Sequence, residues 1–315
     1  MDDGSNIDLI VPRSEEIPDF YQAAEQMGFH ALWFTETLFS QAQAIQRRTS
    51  PGWTFFGPGD GVSALAAASA ATSRIRLGTA MFGNSDSILS FAEETANLDI
   101  VSHGRLSVGL SQHRWPEEGI SEGRRPRIGV RFNETITLLK RLWSEDEVSF
   151  KGSHHHLEKA SIDVRPVQEG GIPLFVAGVT SAAVNLAATL ADGWVHPSGG
   201  IPYGAARGCD YVRQCAARAG RDPDSLELGK IIYLSIDNSR FRAKARARER
   251  IAPLLQSFYG GYDVDNWCAF GKPAECAAFI QGFLDAGITT VMLCLVPADV
   301  EHLERLHHEV LPLLR

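Results

Sequence analysis

Apolar and polar positions along this chain of 315 residues follow two alternating rhythms. Short apolar runs with strand character fall at Ile7–Val11, His30–Thr35, Ile75–Phe82, Arg105–Leu110, Pro173–Ala177, Gly193–His196, Leu228–Ile236 and Thr290–Leu295. Between them, apolar residues recur at helical spacing over Glu16–Met27, Val62–Thr72, Ile88–Ser102, Val130–Trp143, Ser181–Leu190, Ala205–Ala219, Phe241–Leu255 and Ala274–Ala286, and a closing helix runs to Leu313. Regular strand–helix alternation, with strands apolar on both faces, predicts a parallel sheet covered by helices. The Val62–Thr72 helix is almost all Ala and Ser, side chains small enough to let it lie close to a sheet. Val148–Leu157 reads as a small hairpin outside the repeat.

Such a sheet is either open and doubly wound or closed into a barrel. An open nucleotide-binding sheet places G-x-G-x-x-G straight after its first strand. Here the first strand runs into Pro12-Arg13-Ser14. The expectation is therefore a (β/α)8 TIM barrel with insertion segments, and barrels of this length are commonly one unit. No Pro/Gly/Ser-rich linker divides residues 1–315, so they are read as one domain.

Composition narrows the partners. A formal net charge of −8 argues against nucleic acid or an anionic membrane as the main partner. No apolar stretch approaches the ~20 residues that span a bilayer, and the acidic start Met1-Asp2-Asp3 lacks the layout of a secretory signal. Five cysteines at irregular spacing, with no C-x-x-C pair, read as reduced thiols of a cytoplasmic protein.

In a barrel, chemistry sits at the C-terminal ends of the strands. The positions there are Pro12 and Arg13, Thr35–Thr37, Ala80–Gly83, Ser111–Trp115, Gly178–Ser181, His196–Ser198, Asp237 and Pro297. No lysine follows a strand where a Schiff-base aldolase needs one, and Lys230 falls at the start of its strand. No His-x-His closes the first strand as in a metal-dependent hydrolase. Glu36 and Asp237 are single carboxylates. A chain without side chains for hard chemistry points to a bound organic cofactor and a small-molecule substrate, with no metal.

The clearest local site is Ala177-Gly178-Val179-Thr180-Ser181, between an apolar strand and a helix. Glycine lets backbone approach a ligand, Thr180 or Ser181 can cap the helix, and the first-turn amides with the helix dipole suit a phosphate. An ordinary strand–turn–helix cap has the same sequence. His113 and His196 are the candidate proton carriers, since an imidazole titrates near neutrality. His154-His155-His156 is read as hairpin surface, because neighbouring strand residues point to opposite faces. Arg114, Arg124, Arg125 and Arg127 share one loop that is either an anion clasp or a solvated charged face. Trp53, Phe55 and Phe56, and later Phe258, Tyr259 and Tyr262, lie in long segments able to form an apolar lid or to pack on neighbouring helices or a second subunit.

Seven segments, in order, resemble the luciferase-like family of flavin monooxygenases and deazaflavin oxidoreductases. They are Ala23–Thr37, Ala71–Ala80, Leu98–Leu110, Arg131–Trp143, Pro173–Gly178, Leu186–Trp194 and Gly271–Leu293. The resemblance implies a barrel that holds FMN or coenzyme F420 at its mouth, with the phosphate at Gly178, Val179, Thr180 and Ser181, helped by Ser111, Gln112 and Arg114. It implies a cis peptide at Ala80–Met81 behind the ring, a homodimer, and a separate reductase as a possible source of reduced cofactor. Family members often carry an acidic–His pair after the second strand, where this chain has Glu36-Thr37. Glu36 is thus the third catalytic candidate, and Thr37, Trp53, Phe56, Trp115 and Tyr259 are candidates for the substrate pocket. The alternatives left open are a non-catalytic flavin-binding protein and a cofactor-free phosphate-binding isomerase or aldolase.

Overall fold

The computed structural model of the chain describes residues 5–11, 17–35, 61–82, 87–111, 128–197, 199–259 and 264–315. In chain order the strands are β1 (Asn6–Val11), β2 (Ala31–Thr35), β3 (Arg76–Phe82), β4 (Leu106–Ser111), β5 (Val148–Lys151), β6 (His156–Ala160), β7 (Leu174–Ala177), β8 (Gly193–His196), β9 (Glu227–Ile236), β10 (Cys268–Gly271) and β11 (Thr290–Leu295). The helices are α1 (Ile17–Gln26), α2 (Gly61–Ala71), α3 (Ile88–Val101), α4 (Ile128–Ser144), α5 (Ser181–Leu190), α6 (Pro202–Arg218), α7 (Arg240–Tyr259), α8 (Pro273–Asp285) and α9 (Val300–Arg305).

Parallel pairing runs β1–β2–β3–β4–β7–β8–β9–β11 and returns to β1, so the sheet closes. These are the eight strands expected from the apolar runs, with ends displaced by no more than one residue. The ninth strand of the sheet, β10, was not expected. It pairs with Tyr233–Ile236 of β9, beyond the Glu227–Lys230 stretch that pairs with β8. Its four residues are buried and too short to show a period between two helices. The hairpin forms as expected from β5 and β6. The closing segment is not one helix: α9 gives way to a π turn at Leu306–Val310 and a 3-10 turn at Leu311–Leu313, where Pro312 supplies no N–H.

Large side chains fill the middle of the barrel. Ile10, Trp33, Phe175, Val195 and Met292 form a buried cluster, with Trp33 and Phe175 edge to face at 5.4 Å. Gly78 makes room for this plug, because a Cβ there would lie 2.3 Å from Trp33 Cδ2. Below the plug, the N-terminal ends of the strands are polar. Asp8, almost wholly buried, accepts hydrogen bonds from Trp33 Nε1 at 2.7 Å and pairs with His30 Nδ1 at 2.8 Å. Glu227 accepts from Thr290 Oγ1, and Arg76 donates to Ser107 Oγ at 3.1 Å. The bond to Asp8 raises the His30 pKa, whereas burial raises that of Glu227. Bulk and charge thus fill the N-terminal end of the barrel.

Candidate active site

Three inward side chains beside the aromatic plug are incompletely covered. Ala177, Ile231 and Cys294 pack on the plug from β7, β9 and β11 and are only partly buried. Ser111, half-exposed at the end of β4, pairs with Ala177 across the ladder. Together they make a mostly apolar floor at the C-terminal mouth. Ile231 and Cys294 were not singled out from the sequence. Their signal was the inward register they share with Met292, legible only once strand pairing is known.

The edge of this floor is the turn from β7 to α5. Gly178 has φ +150, a conformation L side chains rarely adopt, and an added Cβ would come within 2.9 Å of the Ala183 Cβ. Two bonds to β8 fix its peptide: Gly178 N–H donates to Val195 O at 3.2 Å, and Trp194 Nε1 donates to Gly178 O at 2.8 Å. Thr180 is the N-cap of α5, and its hydroxyl accepts from Ala183 N–H at 3.2 Å. The first helical bond is Val184 N–H to Thr180 O, so the amides of Ser181 and Ala182 precede the helical ladder at its positive end. Val179, Thr180 and Ser181 are exposed. An exposed pair of helix-start amides beside a glycine with room for backbone approach is a fitting cradle for phosphate.

His196 ends β8 on the face opposite the inward Val195, so contrary to expectation it does not face the lumen but shares the outer face with Trp194, the two rings 5.6 Å apart. Its Nδ1 lies 2.8 Å from Pro197 O. A carbonyl only accepts, so Nδ1 carries the proton and Nε2 is the bare nitrogen. Burial, then the charge of Lys230, lowers its pKa to about 4, so the ring is neutral near pH 7. Lys230 is not in the barrel lumen: its ammonium is buried against carbonyls of the loop that follows His196. A lysine amid the apolar run Leu228–Leu234 was the available signal that something polar waited for it.

Other candidates are accounted for by the fold. Asp237, just after β9, is bound by Arg242 and Arg246 at 2.7 Å each and accepts from Ser239 N–H at 2.8 Å. The Arg242 bond foremost lowers its pKa to about 2, so it is a structural carboxylate. In the His154–His156 run the backbone is what matters: Ser153, His154 and His155 amides all donate to Glu134. Among the described residues, no group of three or more His, Cys, Asp or Glu is placed to hold a metal ion.

Ala80 and Met81 lie within β3, in unbroken register with Gly109 and Leu110. The cis peptide found among the described residues joins Val296 to Pro297, so the expected one at Ala80–Met81 gains no support. Tyr259 ends α7, its side chain outside the description. Glu36, Thr37, Trp53, Phe56, Gln112, His113, Arg114 and Trp115 lie outside the described residues.

The family model described as luciferase-like monooxygenase matches residues 3–272. An F420-dependent glucose-6-phosphate dehydrogenase of Kineococcus radiotolerans is 26% identical over an alignment covering 95% of this chain and 93% of that one. The enzyme of the same description from Amycolatopsis mediterranei is 25% identical, covering 95% and 94%. Among solved structures, an F420-dependent secondary alcohol dehydrogenase in complex with an F420–acetone adduct superposes with a TM-score of 0.82 at 21% identity, covering 99% of both chains. A monooxygenase from Streptomyces bottropensis superposes with a TM-score of 0.80 at 24% identity, covering 98% of this chain and 99% of that one.

Proposed function

The chain belongs to the luciferase-like monooxygenase family, and from that premise we propose that it is an oxidoreductase using the deazaflavin coenzyme F420 on a small organic substrate at the C-terminal mouth of its barrel. The observation that carries this reading is the juxtaposition at that mouth: a partly open apolar floor beside the exposed α5 amides and Gly178. Relatives of both kinds of redox chemistry share the fold, and the relatives aligned over nearly the whole chain are F420-dependent by description, which favours F420 over FMN. The isomerase or aldolase alternative has no support from the family, nor does the non-catalytic one.

When bound, the coenzyme supplies two-electron hydride chemistry that no side chain offers. The protein's part is to bind, orient and handle protons. The Ser181 and Ala182 amides would hold the phosphate, with Gly178 letting the backbone approach. Ala177, Ile231 and Cys294 would support the ring from below while the Trp33–Phe175 plug keeps water from its underside. A homodimer and a separate source of reduced coenzyme remain part of the proposal, carried by the family resemblance.

Anaerobic incubation with oxidised F420 and a panel of secondary alcohols, aldehydes and sugar phosphates, followed by the coenzyme's visible absorbance, tests this. Bleaching dependent on both enzyme and substrate is the expected outcome. Oxygen uptake with reduced FMN, and no bleaching of F420, would move the assignment to a flavin monooxygenase.

A further inference from the structure

One buried cation is not absorbed by the fold or by the coenzyme site. Lys230, on β9, is 1% exposed, yet its hydrogen-bond partners among the described residues are carbonyls and not carboxylates. Its Nζ meets three carbonyl oxygens: Pro197 at 2.5 Å, Gly199 at 2.9 Å and Ile231 at 3.0 Å. The Phe283 ring of α8 closes the site, 5.3 Å from Nζ to its centroid. Burial draws the Lys230 pKa down to about 7, so the amine is charged below that pH; there, three acceptors match the three N–H donors of an ammonium, whereas a neutral amine has two donors and a lone pair that would face a carbonyl. Two of those carbonyls belong to the loop between β8 and α6. There Gly199 and Gly200 both have positive φ, at +86 and +90. Such a loop has little intrinsic preference for one shape, and the ammonium beneath it supplies one.

The same loop orders His196. Pro197 O has two lone pairs; one faces Lys230 Nζ and the other the His196 Nδ1–H. We propose that Lys230 is a positioning residue that, through the Pro197 carbonyl it shares with His196, fixes the imidazole at the C-terminal end of β8 as the Nδ1–H tautomer with Nε2 bare. This arrangement does not rest on the oxidoreductase reading. The charge of Lys230 acts on His196 in the same sense, since a cation beside an imidazole disfavours its protonation. Among the residues that act on His196 electrostatically, Lys230 is the charged one.

The test is ¹⁵N NMR of the imidazole nitrogens in the full-length protein without coenzyme, His196 being assigned by loss of its signals in His196→Gln. In the unsubstituted protein, His196 should show a protonated Nδ1 and a bare Nε2, unchanged from pH 6.5 to pH 5.5. In Lys230→Met, a side chain of similar length without charge or donors, its titration midpoint should rise by about one pH unit or more. Lys230→Arg, which keeps the charge but not the three-way carbonyl fit, should leave the midpoint low and shift the tautomer balance. An Nε2–H tautomer or ordinary titration near pH 6.5 in the unsubstituted protein overturns the proposal, and that result needs no variant to fold. Unchanged His196 spectra in a folded Lys230→Met protein overturn it equally. Because coenzyme is absent throughout, the outcome is separate from that of the F420 assays.

Discussion

The indole of Trp33 reaches down from the plug of the barrel and donates its Nε1–H to the buried carboxylate of Asp8 at 2.7 Å. That bond joins two layers with opposite demands: an aromatic ring that must be buried, and a carboxylate that is buried only if its oxygens are satisfied. Asp8→Ala leaves both the indole N–H and His30 without their acceptor. The expected loss is about 3 kcal/mol of unfolding free energy in urea melts, with Asp8→Asn losing less because it retains an acceptor for the indole. Equal stability of Asp8→Ala and the unsubstituted protein would mean the polar layer contributes nothing.

Gly78 tests the same plug from the opposite side. Gly78→Ala puts a methyl 2.3 Å from the Trp33 ring, against a side chain held by Asp8 below and Phe175 beside it. Overpacking of that kind should cost about 3 kcal/mol, and Trp33 fluorescence should shift as the ring is displaced. The paired substitutions Gly78→Ala and Trp33→Leu should recover part of the loss, which a backbone cause would not allow.

Stability should fall as pH drops below about 6.5, with the histidine at the N-terminal end of the barrel acting in the opposite sense. His302 is buried with its Nε2 accepting from Ile236 N–H at 2.9 Å, and burial, followed by Arg246 and Arg305, pushes its pKa down to about 3. A depressed histidine leaves the folded state unprotonated while the unfolded chain binds a proton, so its contribution is present above the unfolded value and lost as pH falls towards 3. His196, at about 4, acts in the same direction. Each contributes a slope of ~1.4 kcal/mol per pH unit below about 6.5. His30 acts oppositely: with its pKa raised by Asp8, its contribution is present below the unfolded value and lost as pH rises through the folded one. His302→Gln should flatten the acid limb between pH 6.5 and 5 in urea midpoints taken across pH.

At the coenzyme site, one substitution should move two quantities in opposite directions. Ser181→Asp places a carboxylate at the first residue of α5, where it favours the helix dipole by a few tenths of a kcal/mol and repels a phosphate at the same amides. The thermal midpoint should hold or rise while coenzyme affinity falls by about tenfold or more. A merely structural cap would show the first effect without the second.

The parts of this protein legible in its sequence are those carried by period and punctuation. Eight apolar runs marked the eight barrel strands, and Thr180 before the α5 pattern marked the helix start that the structure shows. What escaped was set by partners distant in the chain. β10 forms because Tyr233–Ile236 extends past β8 and leaves an edge to be paired, a fact about register and not about Cys268–Gly271. Lys230 reads in the sequence only as a residue at the start of a strand, since nothing local reveals that the Pro197 and Gly199 carbonyls converge on it from 33 and 31 residues away. Asp237 stood in the right place for chemistry, and only the two arginines of α7 show that it is spent on structure.

Equilibrium titration of the purified apo-protein with oxidised F420 and, separately, with FMN, followed by coenzyme fluorescence, bears most directly on the coenzyme assignment. Saturable F420 binding at ~10 µM or tighter, weakened in Ser181→Asp and Gly178→Ala, is the expected result. Failure of both coenzymes to bind a folded protein, or F420 binding indifferent to both substitutions, would contradict the placement of the coenzyme at the β7–α5 turn.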